Sequence, residues 1–252
     1  MGTDPEPLRR REAVNVRTAW TREALAARID HTLLRPEATP GDIDRLCEEA
    51  LRYGCAAVCV NPIYVARAAA RLAGTPVKVA TVVGFPLGAS LTAIRVAEAT
   101  LALSHGAREI DMVLPIGLLR AGEIDAVRAD LQAVIAVCHA AGALGKVILE
   151  TALLTTEEKV LAARLAVEAG ADFVKTSTGF GPGGATVEDV ALLRRVVGPS
   201  VGVKAAGGIR TAEQAIAMLE AGADRLGTSA TVAILEALPP ASPTSESERP
   251  VA

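Results

Sequence analysis

One pattern of hydrophobic and polar residues recurs along the chain: an amphipathic helix ends at a glycine and a short apolar strand follows. The four clearest copies lie at 48–60, 99–114, 165–177 and 217–229. The last two are closely similar, with EAGADFVKTS beside EAGADRLGTS. Because glycine readily adopts the left-handed conformation that ends many helices, each glycine predicts a helix C-cap before the next strand.

Short segments rich in Val and Ile predict eight β-strands, most of them separated by helical patterns. They are IDHTLL (29–34), AAVCV (56–60), VKVATVV (77–83), EIDMVL (109–114), KVILE (146–150), DFVKTS (172–177), VGVKAA (201–206) and DRLGTS (224–229). Continuous apolar runs are typical of strands buried on both faces of a parallel sheet. Eight such units in about 210 residues predict an α/β fold, a single-domain (β/α)8 TIM barrel. An open doubly wound sheet is the alternative, but the G-x-G-x-x-G turn expected after its first strand is missing.

The two ends of the chain depart from this pattern. Residues 1–20 are predicted to be an N-terminal extension, and helical structure is expected from Thr21, where T-R-E-A-L is typical of an N-cap and first turn. Residues 239–252 are rich in Pro and Ser with few large apolar side chains, which predicts a disordered tail. The barrel is therefore expected to span residues 21–238.

Composition and charge exclude several classes of function. The net charge is −3, the isoelectric point is near 5.7 and aromatic residues make up 2% of the chain, so neither nucleic acid nor a membrane is expected as a partner. No apolar run approaches the roughly 20 residues that a membrane span needs. The first twenty residues are charged and contain no apolar signal core, so a cytoplasmic location is predicted.

The four cysteines form no C-x-x-C pair and the three histidines lie far apart. Neither a disulfide framework nor a metal site with the usual ligand spacing is therefore predicted.

Polar residues at the ends of barrel strands are the first candidates for chemistry, because barrel active sites lie at the carboxyl ends of the strands. Lys175 and Lys204 lie late in the sixth and seventh predicted strands, and Asp111 lies in the middle of the fourth. Lys78 and Lys146 open their predicted strands, so we expect them at the opposite, structural end.

The scarcity of lysine makes these positions informative, since only five of the 26 basic residues are lysine. Repulsion between Lys175 and Lys204 on adjacent strands is expected to lower one amine pKa and produce a nucleophile that can form an imine. Asp111 is expected to move protons, and Asp30 to contact the substrate. Structural roles remain alternatives: a lysine extending to solvent, a salt bridge at Asp111, or anchoring of the first strand by Asp30.

A second group of residues predicts a phosphate site. Gly207 and Gly208 precede a predicted helix, so their backbone N–H groups and the helix N-terminus can hold an anion. Ser229 ends the eighth predicted strand, and Thr178 and Gly179 follow the sixth. These loops converge on one rim of the barrel, where phosphate is often bound.

Four segments resemble the signature sequences of the deoxyribose-phosphate aldolase family, class I aldolases built on a (β/α)8 barrel. They are EIDMV (109–113), FVKTSTGF (173–180), GVKAAGGIR (202–210) and GTS (227–229). The resemblance runs in order from about residue 24 to residue 236.

The resemblance implies that Lys175 forms the Schiff base, that Lys204 perturbs its pKa and takes part in proton transfer, and that Asp111 relays protons. It places the substrate phosphate at Gly207, Gly208 and Ser229. The implied reaction is reversible cleavage of 2-deoxy-D-ribose 5-phosphate to D-glyceraldehyde 3-phosphate and acetaldehyde, with no metal or organic cofactor. Small phosphosugar and aldehyde substrates and a homo-oligomer, dimer or tetramer, are expected.

Two features depart from the family pattern. Phe180 stands where some members carry a lysine that helps hold the phosphate, and the tail after residue 238 supplies no C-terminal tyrosine.

Two other hypotheses explain part of the pattern: an isomerase that uses Asp111 or Glu150 as a base, and a phosphometabolite-binding protein without turnover.

Overall fold

Eight parallel strands close into a barrel in the computed structural model, which describes residues 20–240. The strands are β1 (Ile29–Leu33), β2 (Ala57–Val60), β3 (Lys78–Val83), β4 (Glu109–Val113), β5 (Leu144–Ile148), β6 (Phe173–Lys175), β7 (Gly202–Ala206) and β8 (Arg225–Thr228). Each strand pairs with its successor, and β8 closes the barrel on β1. The predicted (β/α)8 barrel is confirmed, and each predicted strand lies within two residues of an observed one.

Helices connect the strands on the outside of the barrel. They are α1 (Arg22–Ala26), α2 (Pro40–Tyr53), α3 (Val65–Arg71), α4 (Thr92–Ser104), α5 (Ile116–Arg120), α6 (Ile124–Ala140), α7 (Thr156–Glu168), α8 (Val187–Val197), α9 (Ala212–Glu220) and α10 (Thr231–Glu236), with short 3₁₀ helices at Pro62–Tyr64 and Thr151–Leu153. The Thr21 hydroxyl accepts a hydrogen bond from the Ala24 N–H, so the predicted N-cap is confirmed. The predicted glycine C-cap is confirmed at Gly54, whose φ is 71°.

The core consists of two parts. A large apolar layer packs between the outer face of the strands and the helices. Inside the barrel, on the side of β1 to β3, a smaller apolar cluster contains Leu34, Ala57, Cys59, Ala80 and Val82. The interior between β4 and β8 instead contains charged side chains, because residues two apart on each strand point inward and these positions carry Asp, Glu, Lys and Arg.

Within residues 20–240 no helix is both long and apolar enough to cross a membrane. The predicted extension (1–20) and the predicted disordered tail (239–252) lie almost entirely outside the described residues.

Candidate active site

Lys175 ends β6 and lies inside the barrel, with 3% of its side-chain area exposed. Its Nζ donates a hydrogen bond to Oδ2 of Asp111 over 2.8 Å. Lys175 also lines a cavity of about 350 Å³ that is formed by the residues ending β1, β7 and β8 and by the loop after β6. The amine is thus buried beside a carboxylate and still borders a space that a small molecule can enter.

Lys204 lies on β7 directly beside Lys175, since the two residues are register partners. Its Nζ lies 2.7 Å from the same Oδ2 of Asp111 and also contacts Asp30, and its side chain is fully buried. The structure therefore brings Lys175, Lys204 and Asp111 into direct contact.

The predicted placement of Lys146 at the structural end of the barrel is wrong. Because β5 begins at Leu144, two residues earlier than predicted, Lys146 lies in mid-strand and points inward. Its Nζ lies 2.7 Å from Oδ1 of Asp111 and 2.6 Å from Oε2 of Glu109. Asp111 consequently contacts three lysines.

Arg225 and Glu109 complete this group, and the sequence reasoning missed both. Arg225 begins β8 and pairs with Asp30, and its guanidinium lies 3.3 Å from the carboxylate of Glu109 at the start of β4. Two-residue alternation along β4 and β8, from Asp111 back to Glu109 and from Gly227 back to Arg225, was the signal that could have found them. We call the whole group the buried charged network: Asp30, Glu109, Asp111, Lys146, Lys175, Lys204 and Arg225.

The network stabilises the charged form of most of its ionisable groups. Burial opposes ionisation of Asp111, but the charges of Lys146, Lys175 and Lys204 outweigh burial and hold its pKa well below the usual range. Burial likewise opposes ionisation of Asp30, yet Lys204, Lys146 and Arg225 lower its pKa to about 2. Asp111 and Asp30 together raise the pKa of Lys204 against the effect of burial.

Lys175 differs from the other two buried lysines, because its pKa is lowered. Burial is the largest cause, and the charge of Lys204 adds to it, while Asp111 acts in the opposite direction. For Lys146, by contrast, Asp111 and Glu109 overcome burial and raise the pKa. Lys175 is therefore the lysine of the network that most readily supplies a neutral amine. Repulsion from Lys204, the cause expected from the sequence, contributes less than burial.

Asp30 lies beneath the cavity rather than in its wall. The residue is fully buried, contacts Lys204 and Arg225, and is not among the cavity-lining residues. This placement favours a role in holding the charged network over direct contact with a substrate.

The residues predicted to bind phosphate share one rim of the cavity. The lining includes Thr178, Gly179, Gly207, Gly208 and Ser229. It also includes two cations that the sequence reasoning did not select, Arg35 after β1 and Arg210 after β7. Glycine backbone, a hydroxyl and two guanidinium groups together form a suitable environment for a phosphate group.

The backbone at Gly207 and Gly208 requires glycine. Their φ values are 87° and 80°, in the left-handed region that side chains disfavour, and a Cβ on Gly207 would lie 3.0 Å from the Cα of Gly184. The helix predicted after these glycines is α9, and the Thr211 hydroxyl at its N-cap accepts a hydrogen bond from Gln214 N–H.

Glu150 holds the loop after β6. The residue lies two positions after the end of β5, and its side chain is buried. Its φ is 56°, a left-handed conformation that is uncommon for a non-glycine residue. Its Oε2 accepts hydrogen bonds from the hydroxyl and the backbone N–H of Thr178, and the Thr178 hydroxyl accepts one from Phe180 N–H over 3.0 Å. Glu150 therefore positions one side of the cavity rim.

Phe180 forms an apolar part of the rim. The residue is 51% exposed, and its ring meets the Phe85 ring edge to face, with centroids 5.3 Å apart. Where a lysine would place a cation beside a bound phosphate, this chain has two packed rings.

Among the described residues, His, Cys, Asp and Glu side chains form no group of three that could hold a metal ion. The carboxylates of the network form ion pairs with lysine and arginine side chains.

Comparison with known proteins identifies close relatives. Residues 24–237 match the family model described as DeoC/LacD family aldolase. The chain is 60% identical over 214 residues to a deoxyribose-phosphate aldolase from Thermococcus gammatolerans, covering 84% of this chain and 95% of the relative. It is also similar to the crystal structure of a putative deoxyribose-phosphate aldolase from Coccidioides immitis, with 44% identity, a TM-score of 0.84 and 87% coverage of each chain. A tetrameric deoxyribose phosphate aldolase from Aeropyrum pernix is 37% identical, with a TM-score of 0.82 and coverage of 86% and 92% of the two chains.

Proposed function

This chain belongs to the DeoC/LacD family of aldolases, and from that premise we propose that it cleaves 2-deoxy-D-ribose 5-phosphate reversibly to D-glyceraldehyde 3-phosphate and acetaldehyde. Lys175 is the proposed Schiff-base residue. The observation that carries the proposal is the buried amine of Lys175, whose pKa is lowered and which borders a cavity with a glycine-rich, arginine-bearing rim.

The proposed reaction proceeds in four steps. The neutral amine of Lys175 attacks C1 of the open-chain aldehyde, and loss of water gives a protonated imine. Removal of the C3 hydroxyl proton breaks the C2–C3 bond, and its electron pair forms an enamine while D-glyceraldehyde 3-phosphate leaves. Protonation of C2 gives a second imine. Addition of water to this imine releases acetaldehyde and restores Lys175.

We assign the proton transfers to the groups nearest the amine. Asp111 and Lys204 lie in one hydrogen-bonded chain with Lys175, so protons can pass along it as the imine forms and hydrolyses. Substrate phosphate is assigned to the rim, where Gly179, Gly207, Gly208 and Ser229 supply backbone and hydroxyl groups. Arg210 and Arg35 add positive charge there.

The isomerase hypothesis has less support. It requires Asp111 or Glu150 to act as a free base toward the substrate. Asp111 contacts three lysines and Glu150 contacts Thr178, and neither is among the residues that line the cavity. No observation favours a binding protein without turnover.

The direct test of the proposed function is product formation. Purified protein incubated with 2-deoxy-D-ribose 5-phosphate and a chelator is expected to release acetaldehyde and D-glyceraldehyde 3-phosphate in equal amounts. The formation of glyceraldehyde 3-phosphate is monitored with a coupled enzyme assay that reduces this product to glycerol 3-phosphate. A protein that binds the sugar phosphate without releasing either aldehyde would contradict the proposal.

Replacing Lys204 by Leu is expected to raise the pH optimum of imine formation. The charge of Lys204 helps lower the pKa of Lys175, and Asp111 acts to raise it. Without Lys204 that pKa rises toward its ordinary value, and each unit of increase leaves about tenfold less neutral amine at neutral pH. The measurement is the pH profile of acetaldehyde adduct formation. A profile that coincides with that of the wild type would remove Lys204 from its proposed role.

Replacing Phe180 by Lys is expected to increase preference for the phosphorylated sugar by about five- to tenfold, because an ammonium group at the rim adds a charge-assisted hydrogen bond. The measurement is the ratio of kcat/KM for 2-deoxy-D-ribose 5-phosphate to kcat/KM for 2-deoxy-D-ribose. Phe180→Met is the matched control, since it also removes the contact with Phe85 but adds no charge. Equal ratios for the two variants would show that charge at position 180 has no effect on phosphate binding.

A homo-oligomer is also proposed. One relative is described as tetrameric, and the exposed side of α4 offers a second copy an uncharged surface that includes Ile94 and Leu101, 58% and 59% exposed. The cytoplasmic location and the number of subunits remain predictions.

A further inference from the structure

The buried charged network contains more cations than carboxylates. Lys146, Lys175, Lys204 and Arg225 are its four cations, and Asp30, Glu109 and Asp111 are its three carboxylates. An ionised Lys175 leaves one unbalanced positive charge inside the barrel, whereas a neutral Lys175 leaves none. An unpaired buried charge is costly, so this inventory itself favours loss of one proton.

Other groups that face the barrel interior do not change this balance. On β2, Cys59 is a neutral thiol, because burial raises its pKa. On β3, Lys78 is exposed at the start of the strand, where water screens its charge. Each remaining strand contributes at least one member of the network: Asp30 on β1, Glu109 and Asp111 on β4, Lys146 on β5, Lys175 on β6, Lys204 on β7 and Arg225 on β8.

Arg225 and Glu109 lie at the floor of this network. Each is the first residue of its strand, and the pair joins β8 to β4 across the interior of the barrel. The Arg225 guanidinium also lies over the ring of Phe173, 5.9 Å from its centroid. Neither residue lines the cavity, so neither is placed to contact a substrate.

We propose that Arg225 and Glu109 are positioning residues for the imine chemistry, which set the charge balance of the network so that Lys175 is the group that gives up its proton. This inference rests on the proposed function. The two residues influence Lys175 through a series of ion pairs. Arg225 pairs with Asp30, which pairs with Lys204, and Glu109 pairs with Lys146.

The choice of arginine fits this role. A guanidinium group keeps its proton at any pH at which a protein is folded, so Arg225 supplies a constant charge. A lysine at the same place could itself become the neutral member of the network. Glu109 limits the effect. Without its carboxylate the interior would hold one more cation than carboxylates when Lys175 is neutral, and two more when Lys175 is protonated.

The two residues should therefore shift Lys175 in opposite directions. Removing the charge of Arg225 leaves three cations and three carboxylates, so protonated Lys175 becomes balanced and its pKa rises. Removing the charge of Glu109 leaves four cations and two carboxylates, so protonated Lys175 is less favourable and its pKa falls. Lys146 keeps its contact with Asp111 and is expected to stay charged.

The experiment compares Arg225→Met, Glu109→Gln and the double variant with the wild type. Acetaldehyde is trapped on the intact protein by borohydride across a range of pH, and mass spectrometry gives the fraction modified. We expect the midpoint of adduct formation to rise by about one unit in Arg225→Met and to fall by up to about one unit in Glu109→Gln. In the double variant the midpoint is expected near that of the wild type.

A control separates this role from a merely structural one. Arg95 and Asp130 form another buried ion pair, away from the network. Arg95→Met with Asp130→Asn is expected to lower the melting temperature without moving the midpoint. If either single variant does not fold, the other single and the double variant still decide the question.

The outcomes distinguish a failure of the role of Arg225 and Glu109 from a failure of the proposed function. Midpoints that do not move in the folded variants, or that move in the same direction in both single variants, would overturn the role of Arg225 and Glu109. A wild-type protein that forms no adduct at any pH would instead overturn the proposed function.

Discussion

Replacing Lys175 by Met is expected to lower the rate of 2-deoxy-D-ribose 5-phosphate cleavage by at least about 10⁴-fold, since removal of a covalent nucleophile elsewhere has effects of that order or larger. Methionine fills a similar volume but has no amine to form an imine. The fold should survive, because Asp111 keeps Lys146 and Lys204 as partners and the interior becomes balanced in charge.

The measurements for this variant are cleavage rate and thermal unfolding. Lys159→Met is the matched control, since Lys159 pairs with Asp189 between α7 and α8 and does not line the cavity. It should retain activity near that of the wild type. Substantial cleavage by a folded Lys175→Met variant would contradict the assignment of the Schiff base.

Replacing Asp111 by Asn is expected to reduce both stability and activity. The change removes the carboxylate that three lysines share and leaves four cations facing two carboxylates. Removing one partner of a buried ion pair costs about 3–5 kcal/mol, so the free energy of unfolding should fall by that amount. Activity should fall as well, because the proton relay beside Lys175 is lost.

A compensating variant isolates the cause of the instability. Asp111→Asn combined with Lys204→Met returns the interior to an excess of one cation, as in the wild type with Lys175 protonated. We expect this double variant to be more stable than Asp111→Asn alone, yet still inactive. Chemical denaturation measures the difference, and equal or lower stability of the double variant would argue against charge imbalance as the cause.

Catalytic candidates could be predicted from the sequence where an ionisable residue interrupts an apolar strand. Lys175, Lys204 and Asp111 could be selected because each carries an ionisable group within an apolar strand, and barrel strands on one side of the sheet share an interior. The register of β6 and β7 then places the two lysines side by side.

The sequence was less informative where a strand boundary or a contact across the barrel decides the outcome. Lys146 was misplaced because a two-residue error in the start of β5 changes a strand-opening residue into one at mid-strand. The contact between Arg225 and Glu109 joins strands four apart in the barrel, so only closure of the sheet brings them together. The left-handed turn at Glu150 was equally hidden, because non-glycine residues rarely adopt that conformation.

Formation of a covalent imine on Lys175 is tested most directly by trapping that intermediate. Wild-type protein is incubated with acetaldehyde, reduced with borohydride, digested and analysed by mass spectrometry. We predict an added mass of about 28 Da, that of an ethyl group on a lysine amine, on the peptide that contains Lys175 and at no other lysine of the network. Absence of the adduct, or its location on Lys204 or Lys146, would contradict the account.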